Sequence, residues 1–171
     1  VLDTSTWEQV AQWRGHCTPY DFADVLGDLG TYYNWGLIAP EINNHGIATC
    51  GRLADGGYKN LYVMEQKTEG VVYGWLTSTK TKIMMVNALS HALAALDVKI
   101  NSQDTLEELK SFEHHETRDK MGAQAGAHDD AVMSLAIAVS ILGNMKETPQ
   151  TTRMRFSEAL GIRRTVVAKR P

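Results

Sequence analysis

The sequence predicts an α/β fold with parallel strands joined by helical crossovers. Three observations predict it. Short apolar runs alternate with stretches of helical periodicity along most of the chain. Residues 35–39 are a short apolar run closed by Pro40-Glu41, the mark of a strand buried on both faces. Residues 129–142 are a nearly pure apolar helix, the kind that sits inside a core.

Each element follows from local chemistry. Residues 1–3 read as the end of a strand and Thr4-Ser5-Thr6 as a turn. Residues 7–14 alternate well enough for a second strand. Pro19 opens a helix in which Tyr20, Ala23, Val25, Leu26 and Leu29 recur near helical spacing, with Gly30 as its stop. Asn43-Asn44-His45-Gly46 is a polar turn, and residues 47–53 start a helix that Asp55-Gly56-Gly57 breaks. Residues 61–64 form another short strand, and residues 65–79 a loop containing Gly70 and Gly74. Residues 81–96 make an amphipathic helix with Ile83, Val86, Leu89 and Leu93 on one face. A strand at 98–100 follows, then Ser102-Gln103-Asp104 caps a helix at 105–110. Residues 111–116 and Gln124 read as strand and hairpin.

Composition bounds the function. The chain has 171 residues, which favours one domain with a tail. At 43% hydrophobic and 22% charged it has the make-up of a globular protein, not a disordered one. Cys17 and Cys50 are too few for a disulfide framework or a four-cysteine zinc site and read as reduced, buried thiols. No apolar run is long enough to span a bilayer. Val1 is not a starting Met and opens no signal peptide, so the chain reads as a fragment or processed piece. The net charge of −3 argues against coating nucleic acid by bulk charge. Residues 151–171 nevertheless carry a local +5, leaving −8 on residues 1–150. An acidic body with a basic tail suits an enzyme that gathers acids for a metal and holds a polyanion elsewhere, although a plain solvated tail explains the charge equally well.

Two acidic points stand out. In open α/β sheets, sites gather at the carboxyl ends of strands. That rule selects Glu41, a carboxylate at the exit of a buried strand, which would be costly there unless paired or metal-bound. The second point is His128-Asp129-Asp130, immediately before the apolar helix. Helix capping explains one Asp but not two acids and a His, and adjacent carboxylates repel unless a cation lies nearby. Small residues at 122–127 allow backbone and ligand to approach closely. Oxygen donors of this kind suit Mg²⁺ or Mn²⁺ rather than zinc. His114-His115-Glu116 with His91 fits no standard zinc spacing and reads as a polar hairpin. Of the tryptophans, Trp35 reads as core.

These residues carry a resemblance. The stretch Ala39-Pro40-Glu41-Ile42-Asn43-Asn44-His45-Gly46 resembles the strand-end Glu-x-Asn-x-x-Gly motif of viral terminase large subunits, the DNA-packaging motors of tailed bacteriophages. The segment from Ala127-His128-Asp129-Asp130 to Leu135-Ala136 resembles their final acidic motif. Three further stretches, beginning at Asp55, Gly74 and Leu106, match in the same order, so the resemblance runs from residue 1 to about 143. It implies a ribonuclease H-like fold: an α/β single domain with a central mixed sheet flanked by helices. The domain spans residues 1–147, and a basic tail spans 148–171.

The resemblance also implies a metal-dependent endonuclease that cuts concatemeric double-stranded DNA with two Mg²⁺ or Mn²⁺ ions. Its catalytic and metal-binding acids are Glu41 and the pair Asp129 and Asp130. His128, Asn43 and Asn44 are candidates to orient them, and Trp75, Lys80, Lys82, Arg153 and Arg155 candidates to contact DNA. The implied partners are the ATPase domain of the same full-length protein, the portal and the small terminase subunit, in the host cytoplasm and with no membrane. The fold's first strand and its acid are not matched here. Asp3 sits at a turn and is not read as catalytic. No Gly-x-x-x-x-Gly-Lys-Ser/Thr loop is present, so ATP hydrolysis is not expected. A junction resolvase of similar fold, or a DNA-binding or motor-docking module that does not cut, are the alternatives.

Overall fold

The apolar helix expected over residues 129–142 sets the architecture. The computed structural model of the chain describes residues 1–66, 70–115, 120–123 and 128–147. Within it α1 spans Pro19–Tyr32, α2 Gly46–Asp55, β1 Val63–Gln66, β2 Gly70–Tyr73, α3 Thr79–Ala94, α4 Gln103–Ser111, β3 Phe112–His115, β4 Lys120–Ala123 and α5 Asp130–Glu147. Because α5 has almost no polar face, it is buried by neighbours on several sides. It packs on α3 and α4 and supplies Val132, Ala136, Val139 and Leu142 to the main core, together with Trp75, Met85 and Leu89. A second cluster joins α1 to α2 through Ala23, Leu53, Tyr58 and Leu61, with Ile38.

Capping chemistry fixes where the helices start. Thr18 and Asp21 exchange side-chain-to-backbone hydrogen bonds around Pro19, and Ser78 and Thr81 do the same ahead of α3. The Ser102 side chain accepts from the Thr105 amide at the start of α4. Each satisfies a backbone donor that the first helical turn leaves without a partner.

The sheet is sparse. Leu2 pairs antiparallel with Gln9, and Glu8 pairs parallel with Lys99. Further along, Ile38 pairs parallel with Leu61, and Glu41 parallel with Trp75. The expected strand at 7–14 is thus reduced to a short pairing at Glu8 and Gln9. The expected strand at 61–64 runs on as β1 into the expected loop at 65–79, where β2 pairs back on it with Val63 opposite Tyr73. The expected hairpin after α4 is present as β3 and β4, with Phe112 opposite Ala123.

Two tryptophans are placed differently from expectation. Trp35 is 54% exposed, because Asn34 and Trp35 both adopt left-handed backbone (φ 59° and 60°) and turn the chain outward. Its ring lies over Tyr58, with centroids 5.4 Å apart. Trp75 is only 4% exposed and packs against Tyr62. Its N–H donates to the Pro40 carbonyl and its carbonyl accepts from the Ile42 amide, so it belongs to the sheet and the core. Trp75 is therefore not placed to touch DNA.

Candidate active site

Glu41 is held at the end of its strand from both sides. The flanking residues Pro40 and Ile42 bond to Trp75, which fixes the Glu41 backbone between them. One residue further, the Asn43 side-chain amide clasps the Thr77 backbone. Its Nδ2 donates to the Thr77 carbonyl at 2.7 Å, and its Oδ1 accepts from the Thr77 N–H at 3.1 Å. Asn43 thus ties the strand end to the loop that leads into α3. Asn44 has left-handed backbone (φ 57°), a conformation Asn tolerates, and serves the turn.

Two glycines make this arrangement possible. A Cβ on Gly46 would overlap the Glu41 carbonyl, so the turn can close only with Gly there. Gly74 has φ +98°, and a Cβ on it would overlap Ile42 and lie 2.8 Å from the Pro40 carbonyl oxygen. The last residue of the motif that carried the resemblance therefore has a steric reason.

The Glu41 side chain is exposed, and among the described residues it has no hydrogen-bond or ion-pair partner. The burial cost expected from sequence does not arise, because the strand ends at an open groove of about 1320 Å³. Glu41, Asn43, Lys82, Asp129 and Asp130 all line that groove. So do residues 1–4.

The second acidic point resolves into two different environments. The Asp129 side chain is 31% exposed, and its Oδ2 lies 3.7 Å from Lys82 Nζ on α3. Gly122 of β4 sits against this pair, where a Cβ would come within 3.2 Å of the Asp129 carboxylate. Asp130 is 79% exposed, 3.9 Å from Arg14 Nη2 and 3.8 Å from His128 Nδ1. His128 is itself exposed.

Asp129 does not cap its own helix with its carboxylate. Its carbonyl accepts from the Met133 amide, which places it where an N-cap would be. The donors such a cap would satisfy go elsewhere. The Ala131 and Val132 amides donate to Oε2 of Glu108 on α4, at 2.7 and 3.4 Å. Oε1 of Glu108 accepts from Arg14 at 2.8 Å. Neither Glu108 nor Arg14 was singled out from sequence. The available signal was Glu108 falling on the helix face of Thr105 and Leu109, where an acid is out of place.

Asp3 is a turn residue, as expected. Its Oδ1 accepts from the Ser5 amide, the Ser5 hydroxyl and the Thr6 amide at 2.6–3.0 Å, which holds the carboxyl below the ordinary range. Lys80 is exposed near the start of α3. The side chains of His114 and His115, residue Glu116, and the tail with Arg153 and Arg155 lie outside the described residues. Among those that are described, no group of three His, Cys, Asp or Glu side chains is close enough to chelate a metal.

The fold is similar to that of solved structures. The crystal structure of the large terminase nuclease from the thermophilic phage G20c with bound cobalt superimposes with a TM-score of 0.64 at 23% identity. The match covers 81% of this chain and 71% of that one. A second crystal structure of the same nuclease gives a TM-score of 0.62 over the same shares. The chain has the fold of a terminase nuclease. No family model and no curated protein sequence matches it. The ribonuclease H-like α/β class expected from sequence is therefore the fold found. Among the described residues its central sheet is present as the isolated pairings described above.

Proposed function

We propose that this chain is the nuclease domain of a tailed-phage DNA-packaging terminase, an endonuclease that cuts double-stranded DNA with Mg²⁺ or Mn²⁺. One observation carries the reading. Two acids from separate sequence motifs, Glu41 and Asp129, line one groove in a fold shared with a phage nuclease crystallised with cobalt.

The donor chemistry fits a hard divalent cation. Glu41 offers a carboxylate with no partner among the described residues, and Gly122 keeps side-chain bulk away from Asp129. The two aspartates take different roles in this reading. Asp129, half-buried beside Lys82, is the ligand. Asp130, exposed and facing Arg14, is a charge partner. Asn43 fixes the strand end that carries Glu41. With so few carboxylates gathered, the chain holds metal weakly.

A divalent ion held there supplies Lewis-acid stabilisation and water activation, and two ions would complete the site. Lys80 and Lys82, with Arg153 and Arg155 of the tail, contact backbone phosphates. The ATPase domain of the full-length protein, the portal and the small terminase subunit are the proposed partners, in the host cytoplasm.

Nicking of supercoiled plasmid tests the reading. The chain, and a longer version continuing upstream of Val1, are incubated with Mn²⁺. Cleavage by the longer form that is abolished by Glu41→Ala is the expected result. Intact plasmid with both forms, or undiminished cutting by the Glu41→Ala form, overturns it. DNA retained but uncut identifies a binding module instead.

A further inference from the structure

We infer that Glu108 is a positioning residue for the acid site, freeing the Asp129 carboxylate for ligand duty by capping α5 from another helix. The inference rests on the reading of Asp129 as a metal ligand. An Asp ahead of a helix ordinarily turns its side chain back onto the second or third helical amide. In α5 those amides belong to Ala131 and Val132, and both donate to Glu108 Oε2. The Asp129 carboxylate is left to face Lys82 at the groove.

Glu108 is suited to this task because it cannot turn away. It is 7% exposed, and a buried carboxylate must have its oxygens satisfied. One oxygen takes the helix amides and the other takes Arg14 Nη1 at 2.8 Å. Arg14 reaches on to Asp130, so the same chain of charges occupies Asp130 and leaves Asp129 outside it.

The helix that presents Glu108 is itself anchored. Thr105, fully buried, accepts from Gln9 Nε2 at 3.0 Å and donates to Gln12 Oε1 at 2.9 Å. The Ser102 amide donates to Gln9 Oε1 at 3.1 Å. The hairpin at the N-terminus therefore fixes α4, α4 fixes the start of α5, and the start of α5 fixes Asp129. Outer groups that orient metal ligands typically matter 10- to 100-fold in metal affinity.

The test is Mn²⁺ titration of the full chain followed by water-proton relaxation, which reports affinity and number of sites separately. Glu108→Gln keeps the shape but turns an NH₂ toward one of its two sets of donors. The expected result is Mn²⁺ binding weakened about 10-fold or more, with the number of sites unchanged. A purely structural role would lower the number of sites and leave the affinity of the folded fraction alone. That outcome, or no change at all, overturns the inference.

Arg14→Met covers the case in which Glu108→Gln does not fold, because Arg14 is 43% exposed. Removing a nearby positive charge should by electrostatics alone tighten Mn²⁺ binding. Loss of positioning weakens it a few-fold, and tightening or no change refutes the inference. Glu41→Gln is the control. If it binds Mn²⁺ like the parent, the metal site itself is misassigned. If it loses Mn²⁺ while Glu108→Gln and Arg14→Met keep it, only the role of Glu108 falls.

Discussion

Lys82 Nζ lies 3.7 Å from Asp129 Oδ2, joining α3 to the residue ahead of α5 at the groove. Both side chains are about one-third exposed, so the attraction is screened and worth no more than about 1 kcal/mol. Lys82→Met should therefore lower stability only slightly in urea titration. The same substitution should tighten Mn²⁺ binding, since the ion no longer competes with an ammonium for Asp129. Weaker binding would make Lys82 a support of the site rather than a competitor.

Trp75→Ala should act through folding. Trp75 is 4% exposed in the main core, and truncating a buried aromatic costs about 3–5 kcal/mol. Chemical denaturation should show a loss of that size. A variant that keeps its stability while losing DNA affinity would put Trp75 back at the surface.

Gly74→Ala should be destabilising by roughly 2 kcal/mol or more. It combines a left-handed backbone angle, costing about 1–3 kcal/mol for a residue with a Cβ, with overlap against Ile42. Gly51, which has nothing within 4 Å of an added Cβ and lies inside α2, should tolerate Ala and gain slightly from it. Melting curves of the two variants should move in opposite directions.

Acid should loosen the N-terminal hairpin. The Asp3 carboxyl is held low by hydrogen bonds from Ser5 and Thr6, and that of Glu8 by Lys99 and Asn101. A carboxyl depressed in the folded state stabilises above its unfolded value and loses that contribution as pH falls through its folded value. Stability should hold near neutrality, begin to fall around the ordinary values of 4.5 for Glu8 and 3.8 for Asp3, and continue falling below them. Asp3→Ala should remove part of this acid dependence, measured as unfolding midpoints across pH.

Much of this was legible because it is local. Pro19 after Thr18 and Ser102 ahead of Thr105 encode helix starts within four residues, and both helices begin there. The apolar composition of α5 required burial wherever its neighbours came from. Glu41 after Pro40, and Gly46 behind it, marked a strand end and a tight turn by chain chemistry alone.

The tertiary structure decided what depends on partners distant in sequence. Trp75 has the same flanking residues whether it is core or surface, and only its bonds to Pro40 and Ile42 place it inside. Asp129 and Asp130 are adjacent and chemically identical, so no local rule separates them. Lys82 from α3, and Arg14 with Glu108 from two other segments, give them different surroundings. A carboxylate's role is set by the charges and donors within a few ångströms, and here the fold, rather than the neighbouring residues, brings those groups together.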